Sequence, residues 1–158
     1  MSNKSDNAGA TWTSLDAIRL FLGLIYFHFG FLKFFPDLSP AEVIASYTAM
    51  KLTGFGMQAA GALWWIGLME CVIGLGFLFK VFMRVTGVLF LAHMTATFLP
   101  IFILPEYAFK FVPFAPSIEG QYILKNLVLV SAGWAVVAPY FKKADEAAAV
   151  AEPKPESA

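Results

Sequence analysis

Six strongly polar residues lie inside long apolar stretches of the sequence. They are His28, Lys33, Glu70, His93, Lys125 and Asn126. A charged side chain at mid-bilayer costs about 2.5–3.5 kcal/mol on insertion scales, so such residues usually face the interior of a helix bundle. Imidazole, carboxyl and ammonium groups exchange protons and stabilise developing anions. We therefore treat these residues as candidates for a functional site within a membrane.

The stretches that hold these residues are long enough to cross a bilayer. A hydrocarbon core of about 30 Å needs about 20 apolar residues in a helix. Of all residues, 59% are apolar and 14% are charged, whereas soluble domains carry about 25% charged residues. The sequence therefore predicts an all-α fold, an integral membrane four-helix bundle over residues 15–141. The four helices are expected at about 15–35, 61–79, 83–104 and 121–141.

The distribution of Lys and Arg predicts that both termini are cytoplasmic. With the N-terminus inside, seven basic residues lie on the cytoplasmic side and four on the other, which agrees with the positive-inside rule. Residues 1–14 are then a flexible cytoplasmic N-terminus, and residues 142–158 a disordered cytoplasmic tail. In the first outer loop, the run from Ser39 to Glu42 is typical of a helix start and predicts a short interfacial helix.

The candidate residues all fall in the outer half of the predicted bundle. Counted inward from the outer end, His28 lies about 10 Å deep, Glu70 about 14 Å and His93 about 16 Å. Glu70 shares a helix face with Gly67 and Gly74, and small residues mark close helix contacts in membranes. This asymmetry predicts a polar cavity that opens toward the outside.

Several kinds of site are consistent with these residues. Pairs such as Glu70 with His28 or His93 can simply hold helices together. The same three residues have the composition of a two-His-one-carboxylate iron site, and two His can ligate haem. No helical spacing pairs the ligands, so we predict no metal site. A quinone fits better, because it needs an apolar pocket and one or two groups that exchange protons with a carbonyl oxygen. Its expected walls are Phe31, Trp64, Trp65, Phe98 and Tyr122.

The charge and the cysteine content argue against nucleic-acid binding and against disulfide chemistry within the chain. The net charge is zero, and no basic patch of the kind that binds nucleic acid is present. Cys71 is the single cysteine, so the chain has no intramolecular disulfide and no CxxC redox pair.

Three motifs resemble those of the DoxX family. The first helix carries R-L-x-L-G from Arg19 and G-x-x-K ending at Lys33, and the second carries E-x-x-x-G-x-G from Glu70. The fourth begins with E-G-Q-Y-x-x-K-N from Glu119 to Asn126. The resemblance covers about residues 15–138. It implies a four-helix, multi-pass protein of the bacterial inner membrane, and some relatives are tied to thiosulfate–quinone oxidoreduction or to oxidative-stress complexes.

The residues that the motifs carry over, together with the two histidines, form the predicted site. Glu70 and Lys125 are the candidate catalytic residues. The candidate cofactor-binding residues are Lys33, His28, His93, Glu119, Gln121 and Asn126. The resemblance favours a membrane component of a quinone-linked oxidoreductase system that serves sulfur-compound oxidation or oxidative-stress defence. The candidate cofactor is a quinone, and the candidate assemblies are a membrane oxidoreductase complex and a homo-oligomer. The alternatives are a non-catalytic membrane anchor for a soluble oxidoreductase and a small-molecule transporter.

Overall fold

The computed structural model describes residues 12–39 and 42–151 of the 158-residue chain. Within these residues the chain forms seven α-helices and a two-stranded antiparallel β-ribbon. The elements, in chain order, are α1 (Ser14–Leu32), α2 (Glu42–Leu52), α3 (Ala59–Phe79), α4 (Met83–Thr97), α5 (Pro100–Ile103), α6 (Pro105–Ala108), β1 (Phe109–Phe111), β2 (Ala115–Pro116) and α7 (Ile118–Ala151).

Four of the described segments are long and apolar enough to cross a membrane. They are Ser14–Leu32, Ala59–Phe79, Met83–Ile103 and Ile118–Ala144. The predicted all-α four-helix membrane bundle is therefore confirmed. Thr13 caps the first helix, since its hydroxyl accepts from the Asp16 N–H at 3.2 Å while the Asp16 carboxylate accepts from the Thr13 N–H at 3.3 Å.

The third crossing segment is broken, although the sequence predicted one helix over 83–104. α4 ends at Thr97, a turn covers Phe98 and Leu99, and α5 begins at Pro100. Proline lacks the N–H that would continue the helical ladder, and its ring clashes with the carbonyl of residue i−4. Pro100 therefore starts a new helical segment at this point.

The predicted short helix in the first outer loop is confirmed as α2. It packs against α3 and α5, and its buried positions include Ile44, Ser46 and Thr48. The two hydroxyls donate to main-chain carbonyls within the same helix, so their burial leaves no unpaired donor. α2 is consequently a packed part of the bundle.

The end of the chain differs from the predicted disordered tail. α7 continues to Ala151, so residues 142–151 are helical. Ala, Glu and Lys dominate this segment, and they are among the strongest helix formers, which favours a helix here. Residues 152–158 of the predicted tail, and residues 1–11 of the predicted N-terminal segment, lie outside the described part of the chain.

Two hydrophobic clusters frame the space between the helices. The larger cluster joins α1, α3, α4 and α7 through residues such as Phe77, Phe90 and Val137, which are almost fully buried. The smaller cluster contains Ile44, Leu104 and Ile123. Residues of both clusters line one cavity, which holds most of the candidate site.

Candidate functional site

Helices α1 and α3 touch at the level of their backbones. A Cβ atom on Gly30 would lie 2.8 Å from the Gly67 carbonyl oxygen, and one on Gly67 would lie 2.8 Å from the Gly30 carbonyl oxygen. Gly74 meets the backbone of Phe27 in the same way. Glycines permit this approach because no side chain separates the helices, as in other membrane helix pairs. The glycine face predicted around Glu70 is thus the α1–α3 contact.

Lys33 and Glu70 form a buried ion pair across this contact. Lys33 Nζ lies 2.7 Å from Glu70 Oε2, and the two side chains are 8% and 11% exposed. Lys33 occupies the C-cap position of α1, so its flexible chain can reach back along the helix to the carboxylate. The pair compensates two charges that would each be costly alone in an apolar setting.

His93 on α4 approaches the other oxygen of the same carboxylate. Its Nε2 lies 3.3 Å from Glu70 Oε1, and the imidazole is buried. The Glu70–His93 contact is one of the two pairings proposed from the sequence. Glu70 therefore lies between an ammonium group and an imidazole, with one carboxylate oxygen for each.

Tyr26 completes the network and was not among the predicted site residues. Its hydroxyl lies 3.2 Å from His93 Nδ1. With neutral His93 protonated on Nε2, the ring donates to Glu70 and accepts from Tyr26, so every polar group in this side-chain network has a partner. Tyr26, Gly30 and Lys33 are spaced i, i+4 and i+7 on α1, and this spacing is the signal that would have identified the tyrosine. We call Tyr26, Lys33, Glu70 and His93 the cavity cluster.

The cavity cluster faces a space of about 480 Å³ between α1, α2, α3, α4 and α7. Apolar side chains such as Ile25, Ile66 and Leu129 form most of its wall, and α2 covers it with Ile44, Ala45, Thr48, Ala49 and Leu52. Ligand pockets of about 300–1,000 Å³ are typically apolar with a few oriented polar groups. The cavity has this character.

Helix α7 contributes three of the predicted site residues to the cavity. Glu119, Lys125 and Asn126 all line it. Asn126 Nδ2 donates to Thr97 Oγ1 at 3.1 Å, beside the break that follows α4. Lys125 Nζ lies 5.2 Å from the centre of the Tyr122 ring, which is a cation–π distance. In the described part of the chain, Lys125 forms no ion pair.

Two predicted site residues lie elsewhere. His28 is on an exposed face of α1, where its ring packs edge-on against Phe29 at 5.5 Å. Gln121 is exposed on α7 and does not line the cavity. Of the predicted aromatic walls, only Tyr122 lines it; Phe31, Trp64, Trp65 and Phe98 do not. Across the described residues, no group of three His, Cys, Asp or Glu side chains is placed to hold a metal ion.

A second buried cation lies near the opposite end of the α1–α3 pair. Arg19 donates to the main-chain carbonyls of Phe77 and Leu78, with 2.9 Å to the Leu78 oxygen. These carbonyls belong to the end of α3, where the last C=O groups have no N–H donor within the helix. Asp16 lies 4.0 Å from Arg19 Nε and 3.9 Å from Lys80. We call Arg19 with its two carbonyl acceptors the Arg19 clamp.

The fold and the site together define a multi-pass membrane protein with a buried polar network. The particular family follows from a comparison with family models. Residues 14–103, more than half of the chain, match the model described as DoxX, and the protein belongs to the DoxX family. No curated protein and no solved structure matches the chain significantly. The matched segment contains the whole cavity cluster and the Arg19 clamp, whereas the α7 residues of the cavity lie beyond it.

Proposed function

We propose that the protein binds the headgroup of a quinone in the cavity, as a membrane component of a quinone-linked oxidoreductase system. One observation carries this proposal. The apolar cavity is lined by a continuous series of polar side-chain contacts, which runs from Lys33 through Glu70 and His93 to Tyr26. An apolar ring needs an apolar wall, and its carbonyl oxygens need hydrogen-bond donors that are fixed in place. Lys33 supplies such a donor with a spare N–H, and His93 supplies one when its Nε2–H turns from Glu70 to the quinone while Tyr26 fixes the ring through Nδ1.

Reduction of a quinone consumes two electrons and two protons and yields a quinol. In this proposal, an oxidoreductase partner supplies the electrons by oxidising its own substrate, such as a reduced sulfur compound. The cavity cluster supplies proton exchange through Glu70, which takes up each of the two protons from the aqueous side and gives it to a quinone oxygen, while Lys33 and His93 hydrogen-bond to that oxygen. Glu70 is thus the acceptor of a proton from water and its donor to the quinone.

Two lysines stabilise the negative charge that develops on the quinone oxygens. Lys33 approaches from α1 and Lys125 from α7, and both line the cavity. A fixed cation in a water-poor site stabilises a developing anion more strongly than it would in water, which applies to the buried Lys33 side chain, whereas Lys125 is exposed. Glu119 and Asn126, also on α7, contribute contacts at the same wall. We propose a location in the bacterial inner membrane, which the family resemblance implies, with both termini in the cytoplasm, as the positive-inside rule indicates.

A second proposal is that the protein anchors a soluble oxidoreductase without taking part in the chemistry. The β1–β2 ribbon favours it, since Phe111 and Phe114 at its tip are 67% and 81% exposed. Aromatic residues are enriched in protein interfaces, although they also anchor proteins at headgroup depth. Co-purification of a soluble oxidoreductase that is lost when both phenylalanines are changed to Ser would support the anchor.

The quinone site is tested with a short-chain quinone that carries an azido group on its ring. Photolabelling of the protein in nanodiscs, competed with the unlabelled quinone, gives a saturation curve. The wild type is compared with His93→Gln and with His28→Gln, which is the matched control because that histidine is exposed. We expect the half-saturating concentration to rise at least about tenfold for His93→Gln, the effect of losing a hydrogen bond worth about 1.4 kcal/mol.

The labelled positions provide the second criterion. Label on cavity residues of α4 and α7, with no effect of His28→Gln, supports the quinone site. Labelling that rises linearly, or that responds equally to both substitutions, means partitioning into lipid and overturns it. The anchoring role would then be the function to pursue.

A further inference from the structure

A second depression lies on the lipid-facing side of the bundle, between α4 and α7. It has a volume of about 270 Å³ and is lined by Leu91, Thr95, Phe98, Phe102 and Val130, among others. The hydroxyl of Thr95 donates to the Leu91 carbonyl at 2.9 Å, so the side chain leaves no free donor in the depression. Phe102 is 77% exposed. The walls are therefore apolar, and we call this depression the α4–α7 groove.

The groove and the cavity meet at one side chain. Met94 lines both of them and is only 4% exposed. On α7, Leu129 lines the cavity and the next residue, Val130, lines the groove. The two spaces thus lie on opposite sides of a thin partition at the same height in the bundle.

The partition is built from a flexible residue beside a broken helix. Methionine is unbranched and has three rotatable side-chain bonds, so it changes conformation at low cost. Four residues further on, the helical ladder is interrupted by the turn at Phe98 and Leu99. Met94 is therefore the side chain whose movement would join the two spaces.

We propose that the α4–α7 groove holds the isoprenoid tail of the same quinone whose headgroup occupies the cavity. This inference rests on the proposed function and specifies the substrate class as a tailed, lipid-soluble quinone. A tail gains little from apolar contact alone, since the surrounding lipid is equally apolar. The tail instead requires a route out of the cavity, and the groove leads from the cavity wall to the lipid.

Two substitutions on α7 test this path. Val130→Trp fills the groove, while Val128→Trp is the control, because Val128 is exposed on the same helix and lines neither space. A benzoquinone with a two-isoprene tail is compared with the same benzoquinone without a tail. We expect Val130→Trp to weaken binding of the tailed quinone about tenfold, as overpacking does, and to leave the tail-less quinone unchanged.

A labelling experiment on the wild type removes any dependence on the folding of a variant. A diazirine at the end of the isoprenoid tail is photolysed after binding, and the labelled peptides are identified by mass spectrometry. Label concentrated on Leu91, Phe102 and Val130, and removed by excess unlabelled quinone, supports the inference. Label spread evenly over lipid-facing residues of all four crossing segments overturns it.

The two proposals fail in different ways. Saturable, His93-dependent binding of the tail-less quinone, with equal effects of Val130→Trp and Val128→Trp on the tailed one, overturns the tail path and leaves the headgroup site intact. Failure of both quinones to bind saturably overturns the headgroup site, and the tail path with it. If the groove instead holds an acyl chain of a phospholipid, unlabelled phospholipid will displace the tail label and unlabelled tail-less quinone will not, which also overturns the tail path.

Discussion

The α1–α3 pair carries a buried cation toward each of its ends, and the two cations have different kinds of partner. In the Arg19 clamp, the guanidinium donates to the carbonyls of Phe77 and Leu78. In the cavity cluster, the Lys33 ammonium contacts a carboxylate that also contacts His93. Main-chain carbonyls neither gain nor lose protons, whereas carboxylates and imidazoles do. One helix pair therefore holds one cation on groups that do not exchange protons and the other on groups that do.

The largest expected effect comes from removing one charge of the cavity cluster. Lys33→Met should lower the free energy of unfolding by about 3 kcal/mol, because it leaves Glu70 buried without its ammonium partner. Adding Glu70→Gln should restore much of this loss, since the uncompensated charge is then gone. Denaturation by SDS in mixed micelles measures both. Additive losses in the double variant would show that the two side chains are not coupled.

The Arg19 clamp should respond differently. Arg19→Met should cost about 2 kcal/mol of stability, the value of charged hydrogen bonds to carbonyls at a helix end. Quinone affinity should not change, because the clamp is remote from the cavity. Arg84→Met serves as the control, since Arg84 is exposed at the start of α4. A loss of quinone affinity in Arg19→Met would mean that the two ends of the pair are not independent.

A smaller effect is expected at the far end of the cavity cluster. Tyr26→Phe removes the hydroxyl that contacts His93 and should cost about 1 kcal/mol of stability, as loss of one buried hydrogen bond does. It should also weaken quinone binding, but by less than His93→Gln. The same SDS titration and photolabelling measure the two quantities. An effect on binding as large as that of His93→Gln would assign the main contact to the phenol instead.

The smallest effect is expected at the α4–α7 contact. Asn126→Leu removes the hydrogen bond to Thr97 and should cost about 0.6 kcal/mol, a typical value for a polar contact between membrane helices. His28→Gln provides the baseline of no change on the exposed face of α1. If Asn126→Leu destabilises as much as Arg19→Met, the break after α4 depends on this bond for its structure.

The sequence predicts the helical framework well because the membrane imposes a length and a composition on each crossing segment. It also predicts the face of Glu70, since Gly67 and Gly74 mark a close contact whatever the partner helix is. The break after Thr97 was missed because the apolar run continues through Pro100. The ribbon in the outer loop was missed for a similar reason, since strands of two and three residues carry almost no periodic signal.

Which residues form the site is harder to predict than the positions of the four crossing helices. His28 was included because of its depth, but the helical rotation of α1 directs Tyr26 and Lys33 to α3 and leaves His28 exposed. The Lys33–Glu70 pair was not expected, because counting along each helix placed Lys33 about 3 Å and Glu70 about 14 Å below the outer end of the bundle. The length of the lysine side chain and the earlier end of α1, at Leu32, bring the charges together.

The glycine contacts between α1 and α3 also determine the mechanical behaviour of the cavity. Two backbones in direct contact cannot move closer, and the Lys33–Glu70 pair opposes their separation. The opposite wall consists of α2, the end of α4 and α7, which meet through side chains that can repack. We therefore expect the cavity to have one stiff wall and one compliant wall. A bulkier headgroup would then be accommodated by outward displacement of α2 and α7, while the cavity cluster keeps its geometry.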